Sequence, residues 1–66
     1  MKLIDYLGKK VRILSINGFE VIGTVKYYTY PQDNDLEVET IAIETKPDLP
    51  LIDFDEPEIK SIEVVQ

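Results

Sequence analysis

The sequence predicts an all-β domain, a small barrel of five short strands preceded by a short helix and occupying residues 1–66 as a single unit. Three observations carry that expectation. Asn17-Gly18 stands between two runs rich in β-branched and aromatic side chains, the strongest short-range hairpin signal a chain can carry. Further apolar runs at 37–44, 51–55 and 60–65 are short and divided by polar or proline-bearing breaks, as in all-β chains. Finally, a chain of 66 residues buries only about 60% of its unfolded surface, and with no Cys and no His it has neither a disulfide nor a zinc staple. Closure of the sheet or association with a partner is then expected to complete the core.

Taken in order, residues 2–7 are expected to form the helix, with Leu3, Ile4 and Leu7 on one face against the sheet. Gly8 ends it in the left-handed conformation that glycine tolerates. Residues 9–30 form a bent hairpin whose register is decided by polarity. A two-residue turn at Asn17-Gly18 would place Arg12 and Lys10 on the face of Leu14 and Val21. A three-residue loop, Ile16-Asn17-Gly18 with Gly18 in a bulge, pairs Ile13 with Val21 and Val11 with Gly23. The second register turns Val11, Ile13, Val21, Val25 and Tyr27 inward and Lys10, Arg12, Glu20 and Lys26 outward. A one-residue slip would reverse every one of these assignments. It also leaves Leu14, Ile16 and Ile22 outside, and sets Gly23 where a missing side chain permits a bend or a close backbone approach.

Pro31 closes the hairpin, and 31–36 reads as a polar loop. Residues 37–44 form a third strand with Ile41 and Ile43 inward, and 46–50 a loop held by two prolines. A fourth strand at 51–55 puts Ile52 and Phe54 on one face and Asp53 and Asp55 on the other. Residues 56–59 suit a single tight turn, of ordinary or 3₁₀ type, leading to a last strand with Ile62 and Val64 inward. A barrel is the first reading of these strands, and a three-stranded sheet plus hairpin the second.

The net charge of −6 is unevenly spread: residues 1–30 hold five cations and two carboxylates, residues 31–66 two cations and eleven carboxylates. Opposite signs in the two halves fit either head-to-tail contact between copies or two solvated faces. No apolar run reaches the roughly 20 residues of a membrane-spanning helix, and no signal peptide is evident, so the expected setting is cytoplasmic. Without His or Cys, the nucleophiles and bases on offer are Ser15, Ser61, tyrosines, lysines and carboxylates, and a non-catalytic protein is expected, with no cofactor. Asp33, Asp35, Glu37 and Glu39 recur at two-residue spacing and would line one strand face. They lack the glycine of a calcium loop, so they read as a solvated acidic edge that deters strand pairing rather than as a metal site.

The order of a short helix, Gly8-Lys9-Lys10-Val11-Arg12-Ile13, Asn17-Gly18 and Glu20-x-x-Gly23-Thr24-Val25 with an aromatic at Tyr28 resembles the first motif of Sm-like (LSM) proteins. Ile52-x-Phe54, a turn and Ile59-x-x-Ile62 are similar to the second motif. The resemblance implies a bent SH3-like barrel of five strands with an N-terminal helix, and assembly into rings through the fourth and fifth strands. At the family's RNA-binding positions the chain departs: Tyr28-Thr29 is followed by a loop in which Asn34 aligns only approximately, and Asp55-Glu56 stands where the family has a cation and a glycine. Carboxylates there would repel phosphate.

Two surfaces emerge as candidates. Leu14, Ile16, Ile22, Tyr28 and Tyr30 form an apolar outer set suited to self-association as a homo-oligomer, or to a protein partner. Alternatively, Tyr28 with Lys9, Lys10, Arg12 and Lys26 offers a stacking platform with a basic rim for single-stranded RNA. In the plainer reading Tyr27, Tyr28 and Tyr30 are core and strand residues.

Overall fold

The structure is a computed structural model that describes residues 2–33 and 37–65. Five strands, β1 (Lys10–Ser15), β2 (Glu20–Thr29), β3 (Thr40–Glu44), β4 (Ile52–Asp55) and β5 (Ile59–Val64), form one antiparallel sheet in the order β4-β3-β2-β1-β5. Three 3₁₀ turns accompany them, at Leu3–Tyr6, Pro31–Asp33 and Glu56–Glu58. Edge strands β4 and β5 do not pair with each other, so the sheet is open along that seam. Phe54 from one edge and Ile59 from the other nevertheless join Leu3, Val11, Ile13, Val25, Ile41 and Ile43 in a single core cluster. A sheet whose opposite edges meet in one core is strongly curled. No described helix is long and apolar enough to cross a membrane.

The hairpin adopts the bulged register. Val11 pairs with Gly23 and Ile13 with Val21. The Gly18 N–H donates to the Ser15 carbonyl at 3.0 Å, and Gly18 itself has φ +88°, where glycine carries no Cβ penalty. Ser15 is buried, and its Oγ accepts the N–H groups of Asn17 at 3.2 Å and Phe19 at 3.1 Å. One hydroxyl thus satisfies two turn amides that the ladder leaves over.

Farther along β2 the alternation breaks. Val25 pairs with Ile43 but Tyr27 pairs with Ala42, so Lys26 is an extra residue looped out of the ladder. The bulge reverses the parity of the remainder of the strand. Tyr27, expected inside, is exposed, and Tyr28, expected outside, packs against the core. β5 repeats the device: Ile59 pairs with Ser15 and Ser61 with Leu14, leaving Lys60 looped out. Ile59 and Ile62, three apart, therefore both face inward, which a regular strand forbids. At both bulges the extra residue is an exposed lysine, whose charged end needs water and whose stem tolerates the bend.

Several expectations are corrected. The N-terminal segment is one 3₁₀ turn, in which i and i+3 eclipse, so Leu3 is buried and Tyr6 half-buried while Ile4 and Leu7 stay exposed. β3 begins at Thr40, and Glu37 has φ 55°, so Glu37 and Glu39 do not line a strand face. Ile52 and Val64 occupy core-facing positions but lie on the open edges, where no neighbouring strand covers them. Ile41, Ile43 and Phe54 are buried as expected, and the 3₁₀ turn falls at Glu56–Glu58.

At Gly23 two strands come unusually close together. A Cβ built there would lie 2.4 Å from the Glu44 carbonyl oxygen and 2.7 Å from Ile43 Cγ2. Only glycine lets β2 and the end of β3 approach this closely.

Candidate functional site

The outer surface of the hairpin is assembled by its register. Lys10, Arg12 and Leu14 of β1 stand opposite Thr24, Ile22 and Glu20 of β2, and Glu63 and Ser61 of β5 lie beside Arg12 and Leu14. Ile22 is exposed and Leu14 half-buried, on diagonal positions of one face. At the tip, Ile16 and Phe19 expose 61% and 71% of their surface, more than any other described large apolar side chain except Tyr27 at 65%. The tip is nonetheless anchored, since the Ile16 N–H donates to the Glu58 carbonyl at 2.9 Å.

Charges on this face are largely matched. Arg12 pairs with Glu63 across to β5 and with Glu20 at 3.9 Å on β2, while Lys26 lies 3.7 Å from Glu44. These pairs are exposed and contribute little stability. Their effect on a ligand is larger, because a phosphate approaching Arg12 meets two carboxylates as well. Of the four cations in the candidate rim, Lys9 and Lys10 are the ones outside the described ion pairs.

The tyrosines divide. Tyr28 and Tyr30 meet edge to face, with ring centroids 5.0 Å apart and planes at 88°. The Tyr28 hydroxyl donates to Glu39 Oε1 at 2.9 Å, and the same oxygen accepts the Leu3 N–H at 3.2 Å. Burial, and then the bond to Glu39, push the Tyr28 hydroxyl up to about 12. Tyr28 thus forms, through Glu39, an internal tie between β2, the N-terminal turn and the start of β3. Tyr27, expected in the core, is the exposed ring beside Lys26. Phe19 and Tyr27 are therefore surface residues that belong to neither candidate set. Neither was singled out by the hairpin register, which puts Phe19 on the same strand parity as Val21, and nothing local pointed to Tyr27.

Asp55-Glu56 has a structural role. Asp55 Oδ1 accepts the Thr40 hydroxyl at 2.8 Å, and Asp55 and Glu58 form a capping box at the start of the 3₁₀ turn, with the Asp55 N–H donating to Glu58 Oε1 at 3.0 Å. A carboxylate at this N-cap can accept the free amides of the turn, which a cation in the same place could not do. The described residues enclose no pocket and bring no metal-holding cluster of carboxylates together. Asn34 and Asp35 lie outside the described residues, as does the side chain of Asp33.

Compared with protein-family models, curated proteins and solved structures, the chain matches none.

Proposed function

We propose that the chain is a non-catalytic Sm-like small-barrel module that acts by self-assembly or by binding another protein. The observation that carries this reading is the apolar surface of the hairpin: Ile16, Phe19 and Ile22, with Leu14 beside them, stay at the surface although eight other apolar residues already complete the core. Burying such side chains against a partner is favourable, at about 25 cal/mol per Å² of apolar surface removed from water, and exposed apolar sets of this kind mark interaction surfaces. The strand order, the N-terminal turn and the 3₁₀ turn between β4 and β5 support the Sm-like part of the reading. Opposed charges of the two halves of the chain favour contact between copies.

RNA binding through Lys9, Lys10, Arg12, Lys26 and Tyr28 is the alternative. The ion pairs of Arg12 and Lys26 and the internal bond of Tyr28 favour protein over RNA as the partner. Size-exclusion chromatography with light scattering tests the first reading, which expects a mass well above 7.6 kDa at tens of micromolar. A strict monomer would sink self-assembly. Salt-sensitive binding to single-stranded RNA, lost on Lys10→Glu with Arg12→Glu, would restore the alternative.

A further inference from the structure

Where β2, β3 and β4 lie side by side, their register sets three rows of side chains on the outer face of the sheet. The two flanking rows are satisfied among themselves. In one, Glu44 stands opposite Thr24, and the Lys26 Nζ lies 3.7 Å from Glu44 Oε1. In the other, Thr40 stands between Thr29 and Asp55 and donates its hydroxyl to Asp55 Oδ1 at 2.8 Å, while Asp55 also caps the turn that follows. The middle row, Tyr27, Ala42 and Asp53, is left open. Tyr27 and Asp53 are both exposed, and neither side chain enters a described hydrogen bond, ring contact or ion pair. The bulge at Lys26 creates this row, because a regular strand would turn Tyr27 into the core.

Ala42 carries only a methyl group between its two neighbours. Adjacent strands lie about 4.8 Å apart, so the ring and the carboxylate stand about 10 Å apart at their backbones, with a shallow floor between them. A side chain laid over Ala42 would touch both. One wall is an aromatic face, which attracts cations, and the other is a carboxylate. The face as a whole holds Lys26 against Glu44, Asp53 and Asp55, and with Glu44 paired and Asp55 hydrogen-bonded, Asp53 is the carboxylate with nothing to answer it. Both walls therefore select a cation. A guanidinium suits them together, since it is planar, stacks on rings and bonds a carboxylate through a fork of N–H groups, whereas an ammonium is a compact and strongly hydrated point charge. A second copy of this chain is poorly equipped to supply it: Arg12 is the only arginine, and it is already paired with Glu20 and Glu63.

We propose that the row Tyr27, Ala42 and Asp53 binds an arginine side chain displayed by another protein, its guanidinium stacked on the Tyr27 ring and hydrogen-bonded to the Asp53 carboxylate. This rests on the reading of the chain as a non-catalytic interaction module, and it adds a contact on the far side of β2 from the hairpin face. The backbone edges of the sheet take no part in it.

The test titrates the full chain, ¹⁵N-labelled, with three capped single residues: N-acetyl-arginine methylamide and its citrulline and lysine counterparts. A single capped residue is too short to add to the sheet as a strand. The arginine probe is expected to shift the amides of Tyr27, Ala42 and Asp53 at about 10–100 mM, as befits one exposed cation contact, and to bind more weakly as salt rises. Tyr27→Leu and Asp53→Asn are each expected to weaken it about two- to fivefold. Citrulline, of the same shape without the charge, is expected to leave these amides unmoved, and lysine to bind more weakly than arginine. Equal shifts with citrulline, equal binding of lysine, parental affinity in either variant, or shifts confined to other residues would each overturn the proposal. The citrulline comparison needs only the parent chain and decides the matter even if a variant fails to fold. Light scattering on the same sample separates this from self-assembly: a monomer that binds the arginine probe supports the site and sinks self-assembly, whereas an oligomer that does not bind it overturns the site alone.

Discussion

Tyr28 and Glu39 show how a single pair of side chains can hold three parts of a small chain. Glu39 takes a hydroxyl from β2 and an amide from the N-terminal turn, and its own carbonyl accepts the Glu56 N–H at 2.8 Å. Because the folded state holds the Tyr28 proton more tightly than an unfolded chain does, the bond contributes fully below about pH 10 and is lost as pH rises through about 12. Thermal unfolding should therefore show Tyr28→Phe less stable than the parent near neutrality, with the gap narrowing above pH 10. A gap independent of pH would mean that Tyr28 acts through packing alone. Gly23 is limited by space instead. Gly23→Ala puts a methyl group into the Glu44 carbonyl, and urea denaturation should register a loss of about 1–3 kcal/mol, the usual cost of overpacking, or a chain that no longer folds.

In the strands, two kinds of irregularity do different things. The hairpin loop is a local design: the turn hydrogen bond, the positive φ of Gly18 and the Ser15 hydroxyl all lie within five consecutive residues. Ser15→Ala leaves two amides of a part-buried turn without their acceptor, so a loss of about 0.5–1.5 kcal/mol is expected in urea, with Ser15→Thr recovering part of it. A loss below about 0.5 kcal/mol would show that water replaces the hydroxyl. The bulges at Lys26 and Lys60 are not local. Each changes which residues of the rest of its strand face the core, Tyr28 in β2 and Ile59 in β5. Both bend a strand that must curl around a core too small for a flat sheet.

Across the molecule, the sheet order leaves one open seam and two free edges, while the hairpin leaves an apolar outer surface. The two surfaces differ in chemistry. The hairpin face is apolar with most of its charges paired, whereas the β4 strand carries Asp53 and Asp55 on its outer face. Replacing Ile16 and Ile22 together by lysine should lower the mass seen by light scattering to that of a monomer that still folds, since neither side chain belongs to the core, with the unfolding midpoint falling only by what association contributed. An unchanged oligomer would place its interface elsewhere.

Much of this arrangement can be read along the chain. The hairpin register, the buried alternation of Val11 and Ile13, the core pair Ile41 and Ile43, and the turn at Glu56–Glu58 all arise from side-chain period and turn chemistry, which act between near neighbours in sequence. Local pattern was insufficient where a distant strand chose between two local options. The bulge at Lys26 shows only in the pairing of β2 with β3, so the exchange of Tyr27 for Tyr28 is invisible in the local pattern. The Glu39 tie and the role of Asp55 likewise depend on residues 11 to 36 positions away. The apolar candidates Ile16 and Ile22 were legible because they face outward in the one register that buries the rest. Asp53 and Asp55 on one face of the fourth strand were legible too, but that this strand lies at a free edge emerged only once the strand order placed it at the end of the sheet.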